Sequence, residues 1–168
     1  MTATRALVAG VWQADVSRST ATFQVGNLGR RTHGTVPITE GTVEIGADGT
    51  LLAAHGVLDL GAIGTGNAKR DQDLRKPGLL DLDRHPTMTF TATSSQGVGD
   101  GWHVTGTLAA RGTETVLDGT VALSSADGRV VMTATARLDR RTLGIRAPRF
   151  LIGRYVDITV TAVIVHPA

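Results

Sequence analysis

The titratable residues crowd into one stretch of this chain, NAKRDQDLRKPGLLDLDRHP from Asn67 to Pro86, where Asp71, Asp73, Asp81 and Asp83 fall within thirteen residues. Asp81 and Asp83 are of the type and spacing that hold a hard cation or share a proton. Lys69, Arg70, Arg75, Lys76 and Arg84 nearly balance the carboxylates, and a balanced set of this kind describes a solvated, salt-bridged helical face. His85 stands beside them as a proton carrier or ligand, but it precedes Pro86 and reads as a turn or capping residue. His33, His55, His85, His103 and His166 show no metal-ligand spacing. Gly61 to Arg70, GAIGTGNAKR, imitates a phosphate loop without the spacing or the parallel-sheet context that a nucleotide needs. No Gly-x-Ser-x-Gly elbow and no cysteine occur, so nucleophilic thiol chemistry, disulfides and thiolate metal sites are excluded. The residues nominate no catalytic group, no metal site and no cofactor.

A second cluster is basic. Arg137, Arg140, Arg141, Arg146, Arg149 and Arg154 face one carboxylate, Asp139, between positions 137 and 154. Guanidinium groups at this density can hold a phosphate or carboxylate headgroup bidentately, and Arg140, Arg146 and Arg149 are the candidates for such contacts. The alternative is pairing with carboxylates elsewhere, notably Asp157 and the Asp71 to Asp83 group. The net charge of the whole chain is only +2, and no basic stretch carries interleaved aromatics or a recognition helix, so nucleic acid is not an expected partner.

The elements that position these residues are strands. Thr20 to Val25 sets Ala21, Phe23 and Val25 on one face; Val130 to Leu138 does the same with Val130, Met132, Ala134, Ala136 and Leu138; Val156 to Ile164 repeats it with Val156, Ile158, Val160, Ala162 and Ile164. A period of two marks strands with one buried face. The full reading is strands over Gly10 to Val16, Ser19 to Gly26, Gly34 to Ile45, Leu51 to Leu60, Thr87 to Ser94, Trp102 to Ala110, Val116 to Leu123, Arg129 to Leu138 and Arg154 to Val165. Leu28 to Thr32 and Asp139 to Gly153 read as loops. Alternation stops at the segment 67–82, where Asn67 caps a helix over Ala68 to Lys76 that Pro77-Gly78 ends. Asp71 and Arg75, four apart, can pair there, and a second helical turn over Leu79 to Leu82 packs its leucines inward.

One antiparallel sheet with one inserted segment predicts a closed or nearly closed barrel, and 168 residues make a single domain, 1–168. Glycine at 21 residues beside only 4% aromatics leaves little bulk for the interior, so the sheet can enclose space. No apolar run reaches the roughly 20 residues of a membrane-spanning helix. The opening MTATRALVAGVW lacks the apolar run of a signal peptide, so a cytoplasmic location is expected if Met1 is the native start.

Four ordered motifs carry a resemblance: W-x-x-D-x-x-x-S-T-x-x-F-x-V (Trp12, Asp15, Ser19, Thr20, Phe23, Val25), N-x-x-R-D-x-x-L (Asn67, Arg70, Asp71, Leu74), H-P-x-x-x-F (His85, Pro86, Phe90) and D-R-x-x-x-G-I (Asp139, Arg140, Gly144, Ile145). In this order and at these separations the chain resembles the bacterial YceI-like family over nearly its full length. The resemblance implies an all-β, extended, eight-stranded antiparallel lipocalin-like barrel with a short helical insertion. It also implies a polyisoprenoid or isoprenoid-quinone-like ligand in the apolar interior; many members are periplasmic and dimeric, which makes a homodimer an expectation. Departures are Arg18 and Asn27, where the family often has His, and Leu79-Leu80-Asp81-Leu82, where it often has a Phe-Phe pair.

Together these readings favour a non-enzymatic carrier of a long apolar isoprenoid-type lipid. Phe23, Val25, Met88, Phe90, Met132 and Ile158 are the expected wall residues. Asn67, Arg70, Asp71 and Leu74 are expected to be structural: a cap, an ion pair and an apolar pin. The alternatives are a filled barrel whose arginine loop meets an acidic partner, and a small enzyme using His85 or the Asp81/Asp83 pair.

Overall fold

The structure, a computed structural model, describes residues 8–27, 30–99, 101–145 and 153–166. Among these residues the chain forms nine strands: β1 (Gly10–Ala14), β2 (Thr20–Asn27), β3 (Arg30–Ile45), β4 (Leu51–Asp59), β5 (Thr87–Val98), β6 (Gly101–Ala110), β7 (Thr113–Ala126), β8 (Arg129–Asp139) and β9 (Tyr155–Val165). One helix, α1 (Ala68–Leu74), lies between β4 and β5. Every strand pairing is antiparallel, and the order β3-β2-β9-β8-β7-β6-β5-β4 closes when β4 pairs back onto β3.

The barrel is eight-stranded because β1 and β2 are two halves of one wall strand. Both lie between β3 and β9: Gly10 opposes Ile45 and Ala14 opposes Ile164, while Thr20 opposes both Pro37 and Thr161. A 3-10 turn, Val16–Arg18, breaks them apart. Asp15 drives that break, since its carboxylate accepts from the Ser17 N–H at 3.2 Å, the Ser17 hydroxyl at 2.7 Å and Arg18 Nη1 at 2.7 Å. A short side chain that bonds its own backbone two residues on offers the chain a turn in place of a ladder.

Alternation sets the inside of the wall. Along β6 the burial alternates without a break, with Trp102, Val104, Gly106, Leu108 and Ala110 buried. Two core clusters result. One gathers Val36, Ile38, Met88, Leu108, Leu138 and Ile158 with Leu60, Leu82 and Leu143, residues of the segments that cross the barrel end. The other gathers Trp12, Ile45, Leu51, Trp102, Val104, Met132 and Ile164 at the opposite end.

Several expected boundaries move. β1 stops at Ala14, and β3 starts at Arg30 inside the expected loop, because Arg30 to Pro37 complete a hairpin with β2. β5 runs on to Val98, past a bulge between Ala92 and Ser94. α1 ends at Leu74, and the expected helical turn at Leu79 to Leu82 is a series of turns. The loop after β8 opens with a 3-10 turn, Arg140–Leu143, ended by left-handed Gly144 (φ 74°).

Candidate functional site

Between the two clusters lies a cavity of about 190 Å³ with almost wholly apolar walls. Its origin is a belt of small side chains facing inward from five strands and from Ala14: Gly41 on β3, Ala54 and Gly56 on β4, Gly119 on β7, Ala134 and Ala136 on β8, and Ala162 on β9. Large side chains fill a barrel of this size in layers, and where the layer is Gly and Ala the centre stays open. Trp12 and Met132 bound the cavity toward the tryptophan end, Met88, Leu108 and Leu117 toward the insertion end. On β9 the lining runs from Ile158 to Ile164, six steps of roughly 3.3 Å, so the void lies within a stretch of about 20 Å between the two clusters.

Where β3 and β4 meet, one rung of the wall carries no side chain. Gly41 opposes Gly56 and Thr42 opposes His55 in register, just after the β3 bulge between Ile38 and Glu40. Glu40, Thr42 and His55 border the same space. They are the polar side chains near it on this side, and His55 Nδ1 lies 3.0 Å from Thr91 Oγ1 on the next strand.

Of the residues expected on the wall, Met88, Phe90, Met132 and Ile158 line the cavity. Phe23 and Val25 do not. Phe23 packs against the insertion-end cluster, and Val25 lies beyond it, opposite Thr32 and Val156. Sequence reasoning missed Gly41, Gly56, Ala134 and Ala136 as lining residues. The signal was the high glycine count, but alternation weighs a small residue less than a large one.

The arginine cluster is engaged by carboxylates and backbone. Asp157 receives Arg137 Nε at 2.9 Å and Arg31 Nη2 at 2.8 Å, and Asp139 receives Arg154 Nε at 2.9 Å and Arg141 Nε at 3.4 Å. The Arg137 hydrogen bond holds the Asp157 carboxyl below its ordinary range against the opposing effect of burial, and Arg31 adds to the lowering. Burial works to raise Asp139, but the Arg141 N–H and the Arg154 and Arg141 guanidinium groups bring it net below that range. Arg137 and Arg154 also stack on the exposed Tyr155 ring, 5.6 and 5.1 Å from its centroid. Arg140 is buried, donating from Nε to Gly153 O at 3.0 Å and from Nη1 to Ile145 O at 2.8 Å. It therefore clamps the two ends of the loop after β8. Arg146 and Arg149 lie outside the described residues.

In the insertion, Asn67 Oδ1 accepts from the Arg70 N–H at 3.0 Å and caps α1. Asp71 pairs with neither Arg70 nor Arg75. Its Oδ1 takes the Thr65 N–H at 3.0 Å and the Thr65 hydroxyl at 2.5 Å, because the chain folds back before the cap. Arg75 reaches Asp83 instead, at 2.7 Å. Leu74 is half-buried, and Leu80 and Leu82 supply the apolar anchor. Asp83 is thus occupied on the surface, while Asp81 lies 4.0 Å from His85. Among the described residues, no three His, Asp or Glu side chains gather closely enough for a metal.

This architecture has counterparts. The YceI-like domain pattern matches residues 12–164. The chain belongs to the YceI-like family. Among solved structures, this YceI-like barrel is similar to BcnA of Burkholderia cenocepacia, with a TM-score of 0.80 at 14% identity over 91% of this chain and 99% of that one. It is similar to a polyisoprenoid binding domain from Saccharophagus degradans, with a TM-score of 0.68 at 16% identity over 93% and 98% of the two chains. The Campylobacter jejuni YCEI protein superposes with a TM-score of 0.61 at 16% identity over 76% and 80%. At these identities the likeness is one of fold. A UPF0312 protein of Pectobacterium atrosepticum is 34% identical over 55 residues, a stretch covering 33% of this chain and 29% of that relative's length.

Proposed function

We propose that this YceI-like barrel binds, stores or transports a long apolar isoprenoid-type lipid, a polyisoprenoid or isoprenoid quinone, without catalysis. The observation that carries this reading is the apolar void between two packed clusters. A void with almost wholly apolar walls offers water few partners, and apolar cavities of about 150 Å³ stay dry and take apolar guests. Burial of apolar area then drives binding with little directional preference, so the shape of the void selects the ligand. The Saccharophagus degradans relative, described as a polyisoprenoid binding domain, supports this choice of chain.

The test is native mass spectrometry of gently purified protein, followed by solvent extraction and lipid analysis. A stoichiometric prenyl-chain or quinone adduct is expected. An apo mass that persists after incubation with such lipids overturns the reading in favour of a barrel that acts through its outer surface.

A further inference from the structure

Phe90 puts a phenyl ring on the cavity wall, and both strands beside it carry glycine. Gly56 on β4 is its direct partner in the ladder, and Gly106 on β6, the partner of Ala92, is its diagonal neighbour. The two glycines are not equivalent. A Cβ placed on Gly106 would lie 2.7 Å from Phe90 Cε1 and closer still to Cζ, so the ring already occupies the space above that glycine. A Cβ on Gly56 would meet only the Glu40 carbonyl oxygen, at 3.9 Å. Aromatic rings reach diagonal neighbours across a sheet, and a glycine there gives the ring a seat on bare backbone.

The consequence is a lopsided lumen. The ring leans toward β6, the space over Gly56 stays open, and Phe90 packs against both core clusters at once. Building on the carrier reading, we propose that Phe90, seated on Gly106 across from bare Gly56, is the width filter of the cavity. It leaves a passage for a single slender chain and denies entry to a rigid, broad apolar molecule such as a fused-ring sterol. Length is then limited by the two end clusters and cross-section by this one ring.

The filter predicts opposite outcomes on its two sides. Phe90→Ala removes the ring and opens the seat over Gly106. Gly56→Leu sends a branched side chain toward the open half of the passage, its Cβ in ordinary van der Waals contact with the Glu40 carbonyl oxygen alone. The experiment titrates farnesol, a slender chain, and progesterone, a four-ring plate, into lipid-free full-length protein. Binding is followed by the fluorescence of Trp12, which lines the cavity, and Trp102 behind it. The wild type is expected to prefer farnesol by about tenfold or more, in the range that pocket shape alone supplies. Phe90→Ala should collapse that preference by gaining progesterone, with Phe90→Leu intermediate and serving in its place if the alanine variant does not fold. Gly56→Leu should lose farnesol about tenfold while keeping its circular dichroism and thermal midpoint. An unchanged preference in folded Phe90 variants overturns the filter and leaves the carrier reading standing. Failure of the wild type and every variant to bind either molecule overturns both.

Discussion

Asp157 and Asp139 show how single residues decide what a cluster of arginines does. Each carboxylate holds two guanidinium groups and so turns a basic run into a paired outer face. The Asp157 pKa is depressed, chiefly by Arg137, so its stabilising effect is fully present above the unfolded value near 3.9 and is lost as pH falls through the lower folded value. Thermal midpoints of wild type and Asp157→Asn should therefore differ at neutral pH and converge on acidification below about pH 4. A difference that stays constant down to about pH 2.5 refutes this pairing as the source. Arg140 acts differently, because its donors serve buried backbone carbonyls. Arg140→Met keeps the aliphatic stem and removes the donors, which should cost about 1–3 kcal/mol in urea denaturation.

At the scale of elements, the insertion between β4 and β5 is held by few side chains. Leu82 is 1% exposed and sits in the same cluster as Leu60 and Leu143, so it pins a segment whose own helix has seven residues. A helix that short is unstable alone. Leu82→Ala should cost about 2–5 kcal/mol, and Asn67→Ala, which removes only the cap, about 1 kcal/mol. If denaturant midpoints rank the two in the reverse order, the insertion is held by its helix and not by its anchor. Strands were legible from alternation where one face is buried, most plainly along β6. The start of β3 was not, since Arg30 and Arg31 belong to the ladder only through their partners Asn27 and Gly26. The partner of Asp71 was hidden for a similar reason: helix spacing points forward to Arg75, whereas the fold brings Thr65 back from the preceding loop.

For the whole molecule, a guest in the cavity links binding to stability. An apolar lipid that binds only the folded barrel should add about 2.7 kcal/mol at a hundred times its dissociation constant. That corresponds to a rise of roughly 5–10 °C in the melting midpoint for a domain of this size. A midpoint indifferent to saturating isoprenoid would show that the ligand does not enter the folded core. The sequence by itself determined the strands, the interruption at 67–82 and the membership of the family, because all of these rest on local periodicity or on ordered motifs. Only the tertiary structure decided where the barrel is hollow. Gly41, Gly56, Gly119, Ala134 and Ala136 come from four strands, and they make a void only when closure brings them to one level. Closure likewise seats Phe90 on Gly106 and carries Phe23 away from the cavity. Empty space belongs to the assembled wall, and no single strand encodes it.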